Sequence, residues 1–227
     1  MKRKTLFMLH KWTAVVVGAQ FLIWSITGLY FSLTGHEWLN AEQNRMHPNN
    51  TAVLSAPEWY PDHEEIESAT LQRVANQLVW NIVTTTGSNW LSAETGDTWT
   101  ANAQVARVIA EQSYHGALSA TDVHFYPNGI DVLINEELSD LGDGVYEVIF
   151  DDTLETTVYV AEKNGEVITH RNKWSTLNDW AFRLHFMDYN GGKNFNNPLT
   201  WTFSAAFLWF ITTGIWLLLV SIRFKRK

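Results

Sequence analysis

The sequence predicts a membrane α+β protein: two transmembrane helices flanking a periplasmic α+β domain, with helices on antiparallel sheet and a partial internal duplication. Three observations predict it. An uncharged apolar run lies near each end of the chain, all the acidic residues lie between the two runs, and the middle alternates helix-period and strand-period segments. Mean hydropathy is close to neutral at −0.14. That average hides the concentration of apolar residues at the two ends.

Composition excludes several classes. Twelve Trp and 14% aromatics in 227 residues rule out a disordered chain. With no cysteine, a disulfide scaffold, a thiol nucleophile, a thiolate zinc site and a self-ligated iron–sulfur cluster are all excluded. A net charge of −8 argues against a nucleic-acid partner.

The first apolar run is Trp12 to Leu33 and the second Trp201 to Ile222, each without a charge. A helix needs about 20 apolar residues to cross the hydrocarbon core, and both runs suffice. A signal peptide has a shorter core of about 7–15 residues and a small-x-small cleavage site, so the first run reads as a retained span. Trp12, Trp38 and Trp201 lie near the ends, where amphipathic rings favour the interface.

Lys2, Arg3, Lys4 and Lys11 flank the first span, and Arg223, Lys225, Arg226 and Lys227 follow the second. The intervening segment keeps eight basic residues against 24 acidic ones, a net charge of −16. The positive-inside rule then places both termini in the cytoplasm and the middle in the periplasm of a bacterial inner membrane. The expected division is 1–34 for the cytoplasmic N-terminus and first span, 35–198 for the periplasmic domain, and 199–227 for the second span and basic tail.

The middle segment opens loosely, with turns marked by Pro48, Asn49, Asn50, Pro57 and Pro61. A helix is expected at Glu64–Asn76 from Ile66, Ala69, Leu71 and Val74, followed by a strand at Leu78–Thr86. Asn89–Thr100 reads as a strand, a turn at Glu94–Asp97 and a second strand. Ala101–Tyr114 is an amphipathic helix through Val105, Val108 and Ile109. Strands are expected at Asp122–Tyr126, Ile130–Ile134 and Val145–Phe150. A hairpin, Thr156–Ala161 with Val167–His170, closes through Lys163-Asn164-Gly165-Glu166. An amphipathic helix at 177–189, capped by Thr176 with Asp179, is expected to lie at the outer membrane interface. The order helix, strands, turn occurs twice, ending in Ala93–Asp97 and again in Glu162–Ile168, which reads as the duplication.

The second of these units, with Ala101–Tyr114, Tyr146–Phe150 and Thr156–Ile168, resembles a PepSY domain, and the first resembles a degenerate copy. The ends are similar to the PepSY-associated transmembrane family through Leu9-His10-Lys11-Trp12, Thr27-Gly28-Leu29, Asp179-Trp180, Leu184-His185-Phe186 and Gly191-Gly192. The similarity covers nearly the whole chain. It implies a PepSY-like periplasmic domain, and a distant similarity to four-span siderophore-iron reductases that look like haem proteins. Soluble PepSY domains, in protease propeptides, imply inhibition instead. This chain departs from the reductases in having two spans.

Of the eight histidines, 47, 63, 115, 124 and 170 are scattered through loops and strands and read as surface or core residues. His10, His36 and His185 sit at membrane boundaries, where an ionisable side chain is a functional candidate. His10 heads a stripe of mostly small residues, Ala14, Gly18, Phe21, Ser25, Gly28 and Ser32, suited to close approach of another helix or a flat cofactor. His10 and His36 stand about 39 Å apart if the helix continues, so they would serve different sites. His185 belongs to the outer face with His36. Two neutral imidazoles can hold a haem iron between them, which makes haem b the cofactor expected at His10, His36 and His185. The second span has no histidine. A second ligand near His10 must therefore come from a homodimer or from a partner redox protein. The row Thr202, Ala206, Trp209, Thr213 and Trp216 reads as packing between the spans. No catalytic triad, phosphate loop, calcium loop or zinc motif is visible.

The leading expectation is a haem-linked component of a transmembrane electron-transfer or metal-reduction system, an oxidoreductase component if enzymatic. The alternative is a non-catalytic, membrane-tethered periplasmic module that docks a peptide or inhibits a peptidase.

Overall fold

The structure is a computed structural model that describes residues 3–34, 45–46, 56–61, 66–129, 144–189, 194 and 196–225. The expected strand Ile130–Ile134, the turn residues Pro48–Asn50 and Gly191-Gly192 lie outside these residues. The chain divides into two compact units, one of 1–35 with 177–227 and one of 36–176.

Helix α1 spans Arg3–Leu33 and is apolar over Lys4–Leu33. Its 31 residues make a rod of roughly 46 Å, longer than the hydrocarbon core of about 30 Å.

In the second unit, β1 (Ile66–Val74), β2 (Gln77–Thr84) and β3 (Gly87–Ser92) form a three-stranded antiparallel sheet in sequence order. The helix expected at Glu64–Asn76 is therefore corrected to a strand over its described residues. Its Glu, Ala, Leu and Gln residues favour helix. β2, a strong strand with Val79, Trp80, Ile82 and Val83, nevertheless offers a complete edge, and β1 pairs along it from Ile66↔Thr84 to Val74↔Gln77. Pairing with a neighbour outweighs weak local propensity. The two-residue turn holds Ala75 at φ 52°, which no helix tolerates. The second strand expected after the Glu94–Asp97 turn reduces to one bridge, Leu91↔Thr98.

Helix α2 covers Ala103–Ser113, where Asn102 Oδ1 caps it by accepting from Val105 N at 3.0 Å. It lies on a four-stranded antiparallel meander of β4 (Asp122–Tyr126), β5 (Val145–Ile149), β6 (Thr157–Ala161) and β7 (Val167–Arg171). Ala106 and Ala110 are fully buried and let the helix approach Val148, Phe150, Val158 and Val160, which are also buried. The β6–β7 hairpin turns at Gly165, with φ 69°. A Cβ there would lie 2.7 Å from Val74 Cγ1 and 2.9 Å from Ile109 Cδ1, so the hairpin tip binds both β1 and α2. The α+β class with two antiparallel sheets stands. In the first half a strand takes the place of the expected helix over the described residues.

Helix α3 covers Lys173–Phe186, starting one turn before the expected 177. Its cap is Asn172, not Thr176. Asn172 Oδ1 accepts from Trp174 N at 2.9 Å and Ser175 N at 3.1 Å, while Asn172 N donates to Ser175 Oγ at 2.8 Å. Met187, at φ 53°, ends it.

Helix α4 covers Pro198–Lys225. His10 stacks on Phe210 and Phe21 on Phe207, so α1 and α4 run antiparallel. The expected packing row on α4 is corrected in part: Thr213 is buried, but Trp209 and Trp216 are 44% and 48% exposed. Phe207 and Phe210 face α1 together with Thr213.

The two units have opposite polarity. In the second, Val, Ala and Phe are buried, as water demands. In the first, Gln20, Thr27 and Thr213 are buried while Leu22, Ile26, Leu208 and Leu218 are exposed.

Candidate functional site

The first unit brings His10 and His185 into the same local construction at two levels of α1. The His10 ring stacks on Phe210, with centroids 4.8 Å apart and planes at 10°. Its Nδ1 lies 2.9 Å from Thr213 Oγ1. That hydroxyl has one proton, and it lies 2.8 Å from its own helix carbonyl at Trp209 as donor. It therefore accepts from His10 Nδ1–H, which assigns the neutral ring's lone pair to Nε2. Gly214 leaves the ring room, because a Cβ there would stand 3.2 Å from His10 Cε1.

At the other level, His185 Nδ1 lies 2.7 Å from Thr27 Oγ1, and Thr27 donates to Ile23 O at 2.8 Å. The same reasoning protonates Nδ1 and leaves Nε2 as the acceptor. Phe31 and Phe186 meet the ring edge-on, with centroids at 5.5 and 5.1 Å. Gly28 faces the ring, where a Cβ would make an ordinary contact 3.8 Å from His185 Cε1. His10 and Thr27 are 17 residues apart on α1, about 25 Å of rise.

An imidazole anchored through Nδ1–H presents Nε2 to a metal. Both histidines have that Nδ1 anchor. His36 lies outside the described residues. Among the described residues, no group of three or more His, Asp or Glu is arranged to hold a metal ion by itself.

The remaining described histidines sit in the second unit. His170 is buried, its Nε2 3.0 Å from Ser113 Oγ. His124 lies on the sheet face opposite α2, 3.1 Å from Asp122 Oδ2 and 3.5 Å from Glu147 Oε2. That unit also holds a groove of about 840 Å³, bordered by Gln72, Val74, Trp90, Gln112 and Glu166.

A family model described as the PepSY-associated TM region matches residues 7–227. The chain belongs to that family. Neither a curated protein nor a solved structure matches it. Membership in the PepSY-associated TM family, with two helices long and apolar enough to span, makes this a membrane protein. His10 lies on the first of these helices, and His185, on α3, bonds to Thr27 of the same helix.

Sequence reasoning did not single out Thr27 and Thr213 as partners of the histidines. Thr27 stood only in the Thr27-Gly28-Leu29 resemblance and Thr213 only in a packing row. The available signal was a hydroxyl inside an apolar span. The small stripe also divides: Gly28 faces His185, whereas a Cβ on Gly18 would meet nothing within 4 Å.

Proposed function

We propose that this PepSY-associated TM protein is an electron-transfer or metal-reduction component of the bacterial inner membrane, working with haem b. The observation that carries the reading is the repeated histidine–threonine–carbonyl chain at His10 and His185. Each threonine holds its imidazole in one tautomer and one orientation, so Nε2 of His10 and of His185 would be the atom that holds the haem iron. The haem supplies one-electron chemistry when bound, and the protein's residues position it and keep water away. His36 stands as a third candidate ligand on the outer side. Each level offers one described imidazole per chain, so a second copy or a partner redox protein completes each pair. The open side of Gly18 on α1 suits a second copy. The basic flanks favour cytoplasmic termini and a periplasmic second unit.

The test is a reduced-minus-oxidised spectrum of detergent-purified protein expressed with ample haem. The expected outcome is a haem b signal that His10→Ala and His185→Ala each diminish and His124→Ala leaves unchanged. A colourless protein would overturn the reading. In that case the groove bordered by Trp90 and Gln112, beside the edge strands β1 and β7, favours the second reading, a peptide-docking module.

A further inference from the structure

We propose that α3 is embedded in the bilayer, with Leu177, Trp180 and Leu184 against lipid, so that the membrane holds three helices of this chain. From Leu177 to Phe186 the polarity of this helix is inverted. Leu177, Trp180 and Leu184 are 46%, 54% and 36% exposed, whereas Asn178, Asp179 and Arg183 are at most 8% exposed. A helix bathed in water does the reverse. The three exposed residues recur at i, i+3 and i+7, which makes one apolar stripe.

The end of the helix carries a second, independent observation. The last carbonyls of a helix have no partner within it, and at a wet surface water takes that role. Here side chains take it. Gln20 Nε2 donates to Leu184 O at 3.3 Å and Trp24 Nε1 to His185 O at 2.6 Å. Asn197 Nδ2 and Thr200 Oγ1 both donate to Phe186 O, at 2.8 and 2.7 Å. Satisfying terminal carbonyls from within the protein, as here at the last three, is what a hydrocarbon environment requires.

Depth follows from the same contacts. Gln20 and Trp24 lie within the apolar run of α1, and Phe182 packs on Phe31 at 4.6 Å between centroids. On α1, Ile26, Leu29 and Leu33, on the side away from α3, are also exposed and apolar, so α1 itself meets lipid at this depth. Arg183, 5.5 Å over the Trp180 ring, is placed to carry the inward polar side while the indole faces the headgroup boundary. The placement holds with or without a haem.

The chain has no cysteine, so single cysteines can be introduced for nitroxide labels at Leu177, Trp180 and Leu184. The full-length protein goes into vesicles of three parts phosphatidylcholine to one part phosphatidylglycerol. Labels at Leu219 on α4 and at Thr95 in the second unit give the lipid and water references. Each substituted side chain is exposed or in an exposed turn, and circular dichroism checks that the helices persist. The expected result is that the three α3 labels collide with oxygen as the Leu219 label does. Their collisions with a water-soluble nickel chelate should be several-fold rarer than at Thr95. Nickel collisions equal to those at Thr95 would put the stripe in water and overturn the proposal. Protection from both oxygen and nickel would also overturn it, because a second protein surface would then cover the stripe.

Discussion

Thr27 and Thr213 are single hydroxyls in apolar helices, yet each decides which nitrogen of a histidine carries the proton. Sequence position alone marked His10 and His185 as candidates, because an ionisable group at a membrane boundary is rare. Their threonine partners were not legible, because each bond crosses 158 or more positions in the chain.

At the scale of elements, strong local signals matched the structure and weak ones yielded to neighbours. Asp122–Tyr126 and the β6–β7 hairpin follow from strand-period alternation and turn chemistry. Glu64–Asn76 reads as helix in isolation, but the open edge of β2 made its described residues a strand. The start of α3 moved back one turn because Asn172, just after β7, caps it with two hydrogen bonds. Gly165 joins the elements. Gly165→Ala adds positive-φ strain of about 1–3 kcal/mol, and Val74 and Ile109 must also give way. Urea unfolding of the full-length protein in detergent should show the second unit's midpoint lowered accordingly. Ala161→Gly, on the same hairpin but without that crowding, gives the comparison; an equal loss for both would remove the packing role assigned to Gly165.

Over the whole molecule, two predictions concern placement. A reporter fused after Lys227 should be active only in its cytoplasmic form; periplasmic activity would reverse the orientation assigned from the basic flanks. For a second copy on the Gly18 side, Gly18→Leu should reduce chemical crosslinking between copies. Val16→Leu, at an exposed position on the opposite side of α1, should leave it unchanged. Crosslinking insensitive to Gly18→Leu would move the dimer contact elsewhere.

Two apolar runs and the alternating helix and strand periods between them determined by themselves that this chain has two spans and an α+β domain. Those are properties of local hydrophobicity and its period, which need no partner to be read. Tertiary structure alone decided that Glu64–Asn76 pairs as a strand where it is described, that Trp209 and Trp216 turn away from α1, and that α3 buries its charges and exposes its leucines. Each of these depends on which surface meets which, and a helix's inward side is defined only once Thr27, Gln20 and Trp24 stand beside it.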